Sequence, residues 1–121
     1  MMIKISDAEL VVMKILWQKG EATSFDIIDN IKENWNESTV RTLINRLHAK
    51  GAIEPVKKEG KTYTYRSKIN EEEYRIVESN SFLKKIYEGS VNNLLLNFVK
   101  QRKLSKKDLE DLMNLIDEEE R

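Results

Sequence analysis

Apolar positions in the first fifty residues recur at helical spacing. Between Ser38 and Gly51, Val40, Leu43, Ile44 and Leu47 stand at i, i+3, i+4 and i+7, one stripe of an α-helix. Ser38 is placed to cap that helix, and Gly51, after Lys50, suits a left-handed C-terminal cap. Upstream, Ser6-Asp7-Ala8-Glu9 reads as a capping box. The helix it opens carries Leu10, Val12, Met13, Leu16 and Trp17 and stops before Gly20, with Ile3 and Ile5 as a short extended lead-in. A second helix starts near Thr23 or Ser24, with Phe25, Ile28 and Ile31 inward, and ends before the polar loop Asn34-Trp35-Asn36-Glu37.

After Gly51 the period changes from helical to alternating. Ile53–Lys58 and Thr62–Ser67 read as two strands joined by a turn at Glu59-Gly60-Lys61. Pro55 assigns the first to a sheet edge or a bulge. Three short helices followed by a hairpin predict a winged helix-turn-helix, with the Ser38–Gly51 helix presented for recognition.

From Asn70 onward the pattern is helical again. Asn70 caps a helix that begins with Glu71, Glu72 and Glu73 at the positive end of its dipole. Its apolar residues Tyr74, Val77, Phe82, Leu83, Ile86 and Tyr87 leave no single stripe, so it touches two partners or bends near Asn80. Gly89-Ser90 breaks it. The next helix carries Val91, Leu94, Leu95, Phe98 and Val99, and Ser105–Asp108 opens a last one with Leu109, Leu112, Leu115 and Ile116 inward. The fold class expected is mainly α (α+β), with a winged-helix domain over residues 1–70 and a three-helix region over 71–121. Those last helices are short of a comfortable core of their own. Pairing with a second copy supplies one, and so does folding back on residues 1–70; the broken stripe on Tyr74–Tyr87 favours the pair.

The polar face of the Ser38–Gly51 helix changes the picture further. Ser38, Thr42, Asn45 and Ala49 point away from the apolar stripe, flanked by Arg41 and Arg46. Such a face fits the DNA major groove, and it also fits a plain solvated helix. Charge distribution bears on the choice. The chain is neutral, with 21 basic and 21 acidic residues, yet from Ser38 to Lys68 the basic residues are Arg41, Arg46, Lys50, Lys57, Lys58, Lys61, Arg66 and Lys68 against Glu54 and Glu59 alone. That stretch carries +6 and the remainder −6. The DNA-facing set is then Ser38, Thr39, Arg41, Thr42, Asn45 and Arg46 on the helix, with Lys57, Lys58, Lys61, Thr62 and Arg66 on the wing. A lysine-rich hairpin tip suits phosphate contact, and equally a hairpin kept soluble by its charges.

Chemistry for an enzyme is missing. The chain has no cysteine, which excludes disulfides, thiolate metal sites and a thiol nucleophile. His48 is the single histidine, the four glycines form no phosphate loop, and the acidic runs sit at helix ends. No cofactor or metal is expected. No apolar run reaches the ~18 residues of a membrane span and no signal-peptide pattern opens the chain, so a cytoplasmic protein without a lipid partner is expected.

These residues resemble a family. Ile5-Ser6-Asp7-Ala8-Glu9 with Val12-Met13 and Leu16-Trp17 is similar to the opening of the BlaI/MecI penicillinase repressors. Thr39–Leu47 followed by Lys50-Gly51 resembles their recognition helix. Phe82-Leu83, Ile86-Tyr87-Glu88-Gly89 and Leu94–Val99 resemble their dimerisation helices. The resemblance implies a homodimeric repressor of β-lactam resistance genes on an inverted repeat with TACA/TGTA-type half-sites. Its dimerisation residues would be Leu83, Ile86, Tyr87, Leu94, Leu95, Phe98, Val99, Leu109, Leu112 and Ile116. The resemblance also implies release by cleavage between Asn97 and Phe98, triggered by a membrane-bound β-lactam sensor metalloprotease. A copper-responsive branch of the family senses metal through cysteines, which this chain lacks. Asn45 stands where the family often has threonine, so the resemblance does not carry over fine base preference. Two other readings stand beside this one: a winged-helix regulator released by a small-molecule effector, and an adaptor that does not touch DNA, against which the +6 stretch argues.

Overall fold

The computed structural model describes residues 3–121. It is mainly α with a small β wing: six helices and one three-stranded antiparallel sheet. The elements run α1 (Asp7–Lys19), β1 (Glu21–Thr23), α2 (Ser24–Asn30), α3 (Glu37–Ala49), β2 (Ile53–Glu59), β3 (Thr62–Ser67), α4 (Glu71–Tyr87), α5 (Val91–Lys100) and α6 (Lys106–Glu119). The chain divides into two compact units, Met1–Tyr74 and Arg75–Arg121, the division falling inside α4.

The first unit has a closed apolar core. Val12, Met13 and Leu16 of α1, Ile27 of α2, Val40 and Leu47 of α3, and Ile53 of β2 are all essentially inaccessible to solvent. The α3 stripe predicted from spacing is the stripe that is buried. Ser6 caps α1 with Glu9 reciprocating, and Thr23 caps α2 with Asp26 doing the same. The Trp17 indole donates to the Ser67 hydroxyl (3.0 Å) and the Ile69 carbonyl (2.9 Å), and its ring lies 5.6 Å from that of Tyr74. These contacts fasten the segment between β3 and α4 to α1.

Two expectations for this unit need correction. The cap of α3 is Asn36, whose Oδ1 accepts from the Thr39 amide at 2.8 Å, so Ser38 lies within the first turn. An asparagine two residues earlier offers an amide oxygen where serine would offer a hydroxyl, and it lengthens the helix. In α2 it is Ile27 that is buried, while Phe25 is about half exposed at 53%. Ile28 and Ile31 pack half-buried against the core as expected, Ile31 from extended backbone at the end of the seven-residue helix, so Phe25 alone of the three stands outside it.

The sheet has strand order β1-β3-β2, which places β3 centrally and β2 at an edge. Pro55 falls at a bulge between Pro55 and Lys57 on that edge strand, where its missing amide costs no ladder bond. The hairpin turns tightly on Gly60 and Lys61, Glu59 belonging to the strand. Gly60 takes φ +60° and Lys61 does not, the pattern of a II′ turn. Strand β1, only three residues long, pairs Ala22 with Tyr65 and was not predicted.

The second unit is helical and open. Asn70 Oδ1 caps α4 through the Glu73 amide (2.9 Å), Ser90 caps α5, and Ser105 forms a capping box with Asp108 at α6. Helix α4 is continuous from Glu71 to Tyr87. None of α4, α5 and α6 has a fully buried residue. Leu83, Tyr87, Leu94, Leu95 and Phe98 are half-buried, while Ile86, Val99, Leu109, Leu112 and Ile116 are exposed. Met113, absent from the predicted set, is the most exposed large apolar side chain among the described residues and joins Leu109, Leu112 and Ile116 on one α6 face.

Candidate nucleic-acid interface

Burying Val40, Leu43, Ile44 and Leu47 turns the opposite face of α3 to solvent. Ser38, Thr39, Arg41, Thr42, Asn45 and Arg46 are all exposed. Hydrogen bonds within the helix decide what this face offers. The Thr42 hydroxyl donates to the Ser38 carbonyl (2.9 Å), and the Thr39 hydroxyl donates to Asn36 Oδ1 (3.0 Å). With their donors engaged locally, both threonines are left with methyl groups and hydroxyl lone pairs to present.

Arg41 is the most constrained cation on this face. One of its terminal nitrogens donates to Ser24 Oγ at 3.2 Å, and its guanidinium carbon sits 5.3 Å from the centre of the Phe25 ring. The Arg46 guanidinium makes no hydrogen bond or ion pair among the described residues. Lys50 is committed elsewhere: its ammonium pairs with the buried Glu9 carboxylate and donates to the Lys4 carbonyl at 2.8 Å. The +6 of the segment is therefore not all free.

The wing sorts its side chains by face. Tyr63 and Tyr65 alternate onto one face of β3, and Tyr65 meets His48 of α3 edge-on at 6.2 Å. Burial foremost, then the neighbouring Tyr63, pushes the Tyr65 phenol above its ordinary range, with Arg41 acting the other way. Lys58, paired across the ladder with Tyr63, places its ammonium 5.1 Å from that ring. The other face carries charge pairs: Lys57 with Glu59 at 2.8 Å and Arg66 with Glu54 at 2.6 Å. Glu59 holds the Lys57 ammonium above its usual range. Thr62 stands opposite Glu59 at the ladder's end. Lys61, in the turn, has no ion pair among the described residues. Composition showed the basic residues but not which of them are already neutralised. No helix among the described residues is long and apolar enough to cross a membrane.

Comparison with known proteins agrees with this geometry. The family model described as penicillinase repressor matches residues 5–118. The chain is 40% identical over 115 residues to the methicillin resistance regulatory protein MecI of Staphylococcus aureus (strain N315), covering 93% of each chain. It is 35% identical over 117 residues to the penicillinase repressor of Bacillus licheniformis, covering 95% of this chain and 91% of that one. Among solved structures, the DNA-binding domain of the repressor BlaI superposes with a TM-score of 0.55 at 34% identity, covering 61% of this chain and 92% of that domain. The chain belongs to the penicillinase repressor family, whose members are DNA-binding transcriptional repressors and not enzymes.

Proposed function

We propose that this protein is a cytoplasmic, homodimeric repressor of β-lactam resistance genes that places α3 in the major groove of a palindromic operator. The observation that carries the reading is the exposed α3 face, with methyl-presenting Thr39 and Thr42 beside a held Arg41. Arg41 reads guanine O6 and N7, and the threonine methyls pack on thymine. Asn45 and Ser38 complete the groove surface, Arg46 holds phosphate at the flank, and the wing lysines track the backbone.

Residues 71–121 act as the dimerisation region. Its support is a unit with no fully buried side chain and a continuous exposed α6 stripe, surface that a second copy covers. Two linked half-site readers gain roughly 10²–10⁴ in avidity over one. Cutting Asn97–Phe98, by a membrane-bound sensor protease, removes Val99 and all of α6 from that interface. The operator then empties with α3 unchanged.

The test is binding to an inverted repeat with TACA/TGTA half-sites and to a scrambled duplex. Arg41→Ala is expected to lower the ratio of the two affinities about 5- to 150-fold, one base contact being worth about 1–3 kcal/mol. An unchanged ratio removes Arg41 from base recognition. Mass spectrometry of protein from β-lactam-treated cells is expected to show a fragment ending at Asn97; derepression with an intact chain would transfer release to an effector.

A further inference from the structure

Phe25 is the most exposed large apolar side chain of the first unit among the described residues, at 53% against 40% for Tyr63 and 36% for Val56. It lies in the first turn of α2, where solvent and the capping box of Thr23 and Asp26 ask for nothing apolar. Core packing does not account for it either, because Ile27 is the α2 side chain that enters the core. What the ring does touch is the Arg41 guanidinium, 5.3 Å from its centre, while the adjacent Ser24 hydroxyl accepts from the same guanidinium at 3.2 Å.

We propose that Ser24 and Phe25 are positioning residues for base recognition: together they hold Arg41 in the orientation with which it enters the groove. The inference rests on the reading of Arg41 as the base-contacting residue. An arginine is a long side chain whose torsional freedom is lost on binding, and a planar guanidinium stacks well on an aromatic face. The ring occupies one face of the guanidinium and Ser24 takes one of its five N–H donors. Four donors and the free edge remain for guanine O6 and N7. Because Ser24 and Phe25 stand in α2, the docking of α2 on α3, rather than the recognition helix alone, sets where the arginine points.

The experiment uses the full-length protein and a duplex that it selects itself from a randomised pool, compared with a scrambled duplex of the same length. Phe25→Leu keeps an apolar residue at a half-exposed site and removes the ring face; Phe25→Tyr keeps the ring. Phe25→Leu is expected to lower the selected-to-scrambled affinity ratio about two- to fivefold, the range of an exposed cation–π contact. Affinity for the scrambled duplex stays unchanged, and Phe25→Tyr restores the ratio. In Arg41→Ala the further change Phe25→Leu is expected to have no effect. In the free protein, the upfield ring-current shift of the Arg41 side-chain protons is expected to vanish in Phe25→Leu and persist in Phe25→Tyr. A Phe25→Leu ratio equal to wild type, beside an Arg41→Ala ratio that falls, overturns the positioning role and leaves the Arg41 reading intact. An Arg41→Ala ratio equal to wild type overturns both. Equal loss for both duplexes makes Phe25 a direct or folding contributor, and that too overturns the proposal.

Discussion

Lys50, the residue that ends α3, sets its ammonium on the carboxylate of Glu9 in the first turn of α1. Glu9 is the buried charged residue of the core, 2% exposed, and its Oε1 also accepts from the Ser6 amide at 2.9 Å. Its Oε2 has no hydrogen-bond partner among the described residues. One carboxylate thus completes the cap of α1 and anchors the end of α3.

This pair makes stability depend on acid. Burial, the largest influence, raises the Glu9 pKa; Lys50 and the Ser6 amide and hydroxyl together outweigh it and hold the group below its ordinary value. A depressed carboxylate stabilises the fold above its unfolded pKa of roughly 4.3 and ceases to do so as pH falls through the folded value, because the unfolded chain takes up the proton first. Lys50→Met leaves that carboxylate buried without its cation and is expected to cost about 2–3 kcal/mol at neutral pH. The same change is expected to raise the Glu9 pKa, since both Lys50 contributions that lower it are removed while burial remains. Urea unfolding between pH 3 and 7 checks both; a wild-type and variant difference that is flat with pH would remove Glu9 as the cause.

The wing lysines are not equivalent. Lys61 is unpaired among the described residues, while Lys57 is held by Glu59 at 2.8 Å. Lys61→Ala is expected to flatten the log–log salt dependence of DNA binding by about one unit, and Lys57→Ala by less. Glu59→Gln, which frees Lys57, is expected to steepen it. Equal effects of the two alanine changes would show that the Lys57–Glu59 pair opens on DNA.

In the second unit Asn97 donates from Nδ2 to the Tyr87 hydroxyl at 2.8 Å, tying α5 to the end of α4. The Tyr87 ring stands 6.0 Å from that of Phe82, a contact that does not involve the hydroxyl. Tyr87→Phe is expected to release about 1 kcal/mol of local stability, so amides around Asn97 exchange about fivefold faster while those of α1 do not. Under the proposed proteolytic release, cleavage at Asn97–Phe98 requires that opening and is expected to accelerate in parallel. Unaltered exchange in α5 would show that the bond does not restrain it.

A charge on the exposed α6 stripe tests the pairing of copies. Leu112→Glu is expected to shift sedimentation from dimer to monomer at micromolar protein and to weaken operator binding about 100-fold. Leu112 is 39% exposed in the single chain, so the helix itself should be retained. A variant that stays dimeric would place the interface elsewhere.

Local chemistry carried much of the fold. The α3 stripe, the capping box at Ser6, the caps at Asn70 and Ser105, and the bulge at Pro55 are each decided by residues within a turn of one another. A helical period or a capping side chain acts over three or four positions, which a sequence displays directly. The polar α3 face was legible for the same reason, as the complement of its buried stripe. Ser38 was misread as the cap because Asn36, two residues earlier, can do the same work, and only backbone geometry chooses between them. What the tertiary structure alone decided are relations across the chain: Ala22 of β1 laid beside Tyr65, Phe25 brought under Arg41, and Lys50 brought to Glu9. Those partners are separated by tens of residues, and nothing in the spacing of either member names the other. Which basic side chains are free was hidden too, because neutralisation by Glu9, Glu54 and Glu59 depends on a carboxylate arriving within hydrogen-bonding reach in the folded chain, whatever its distance in sequence.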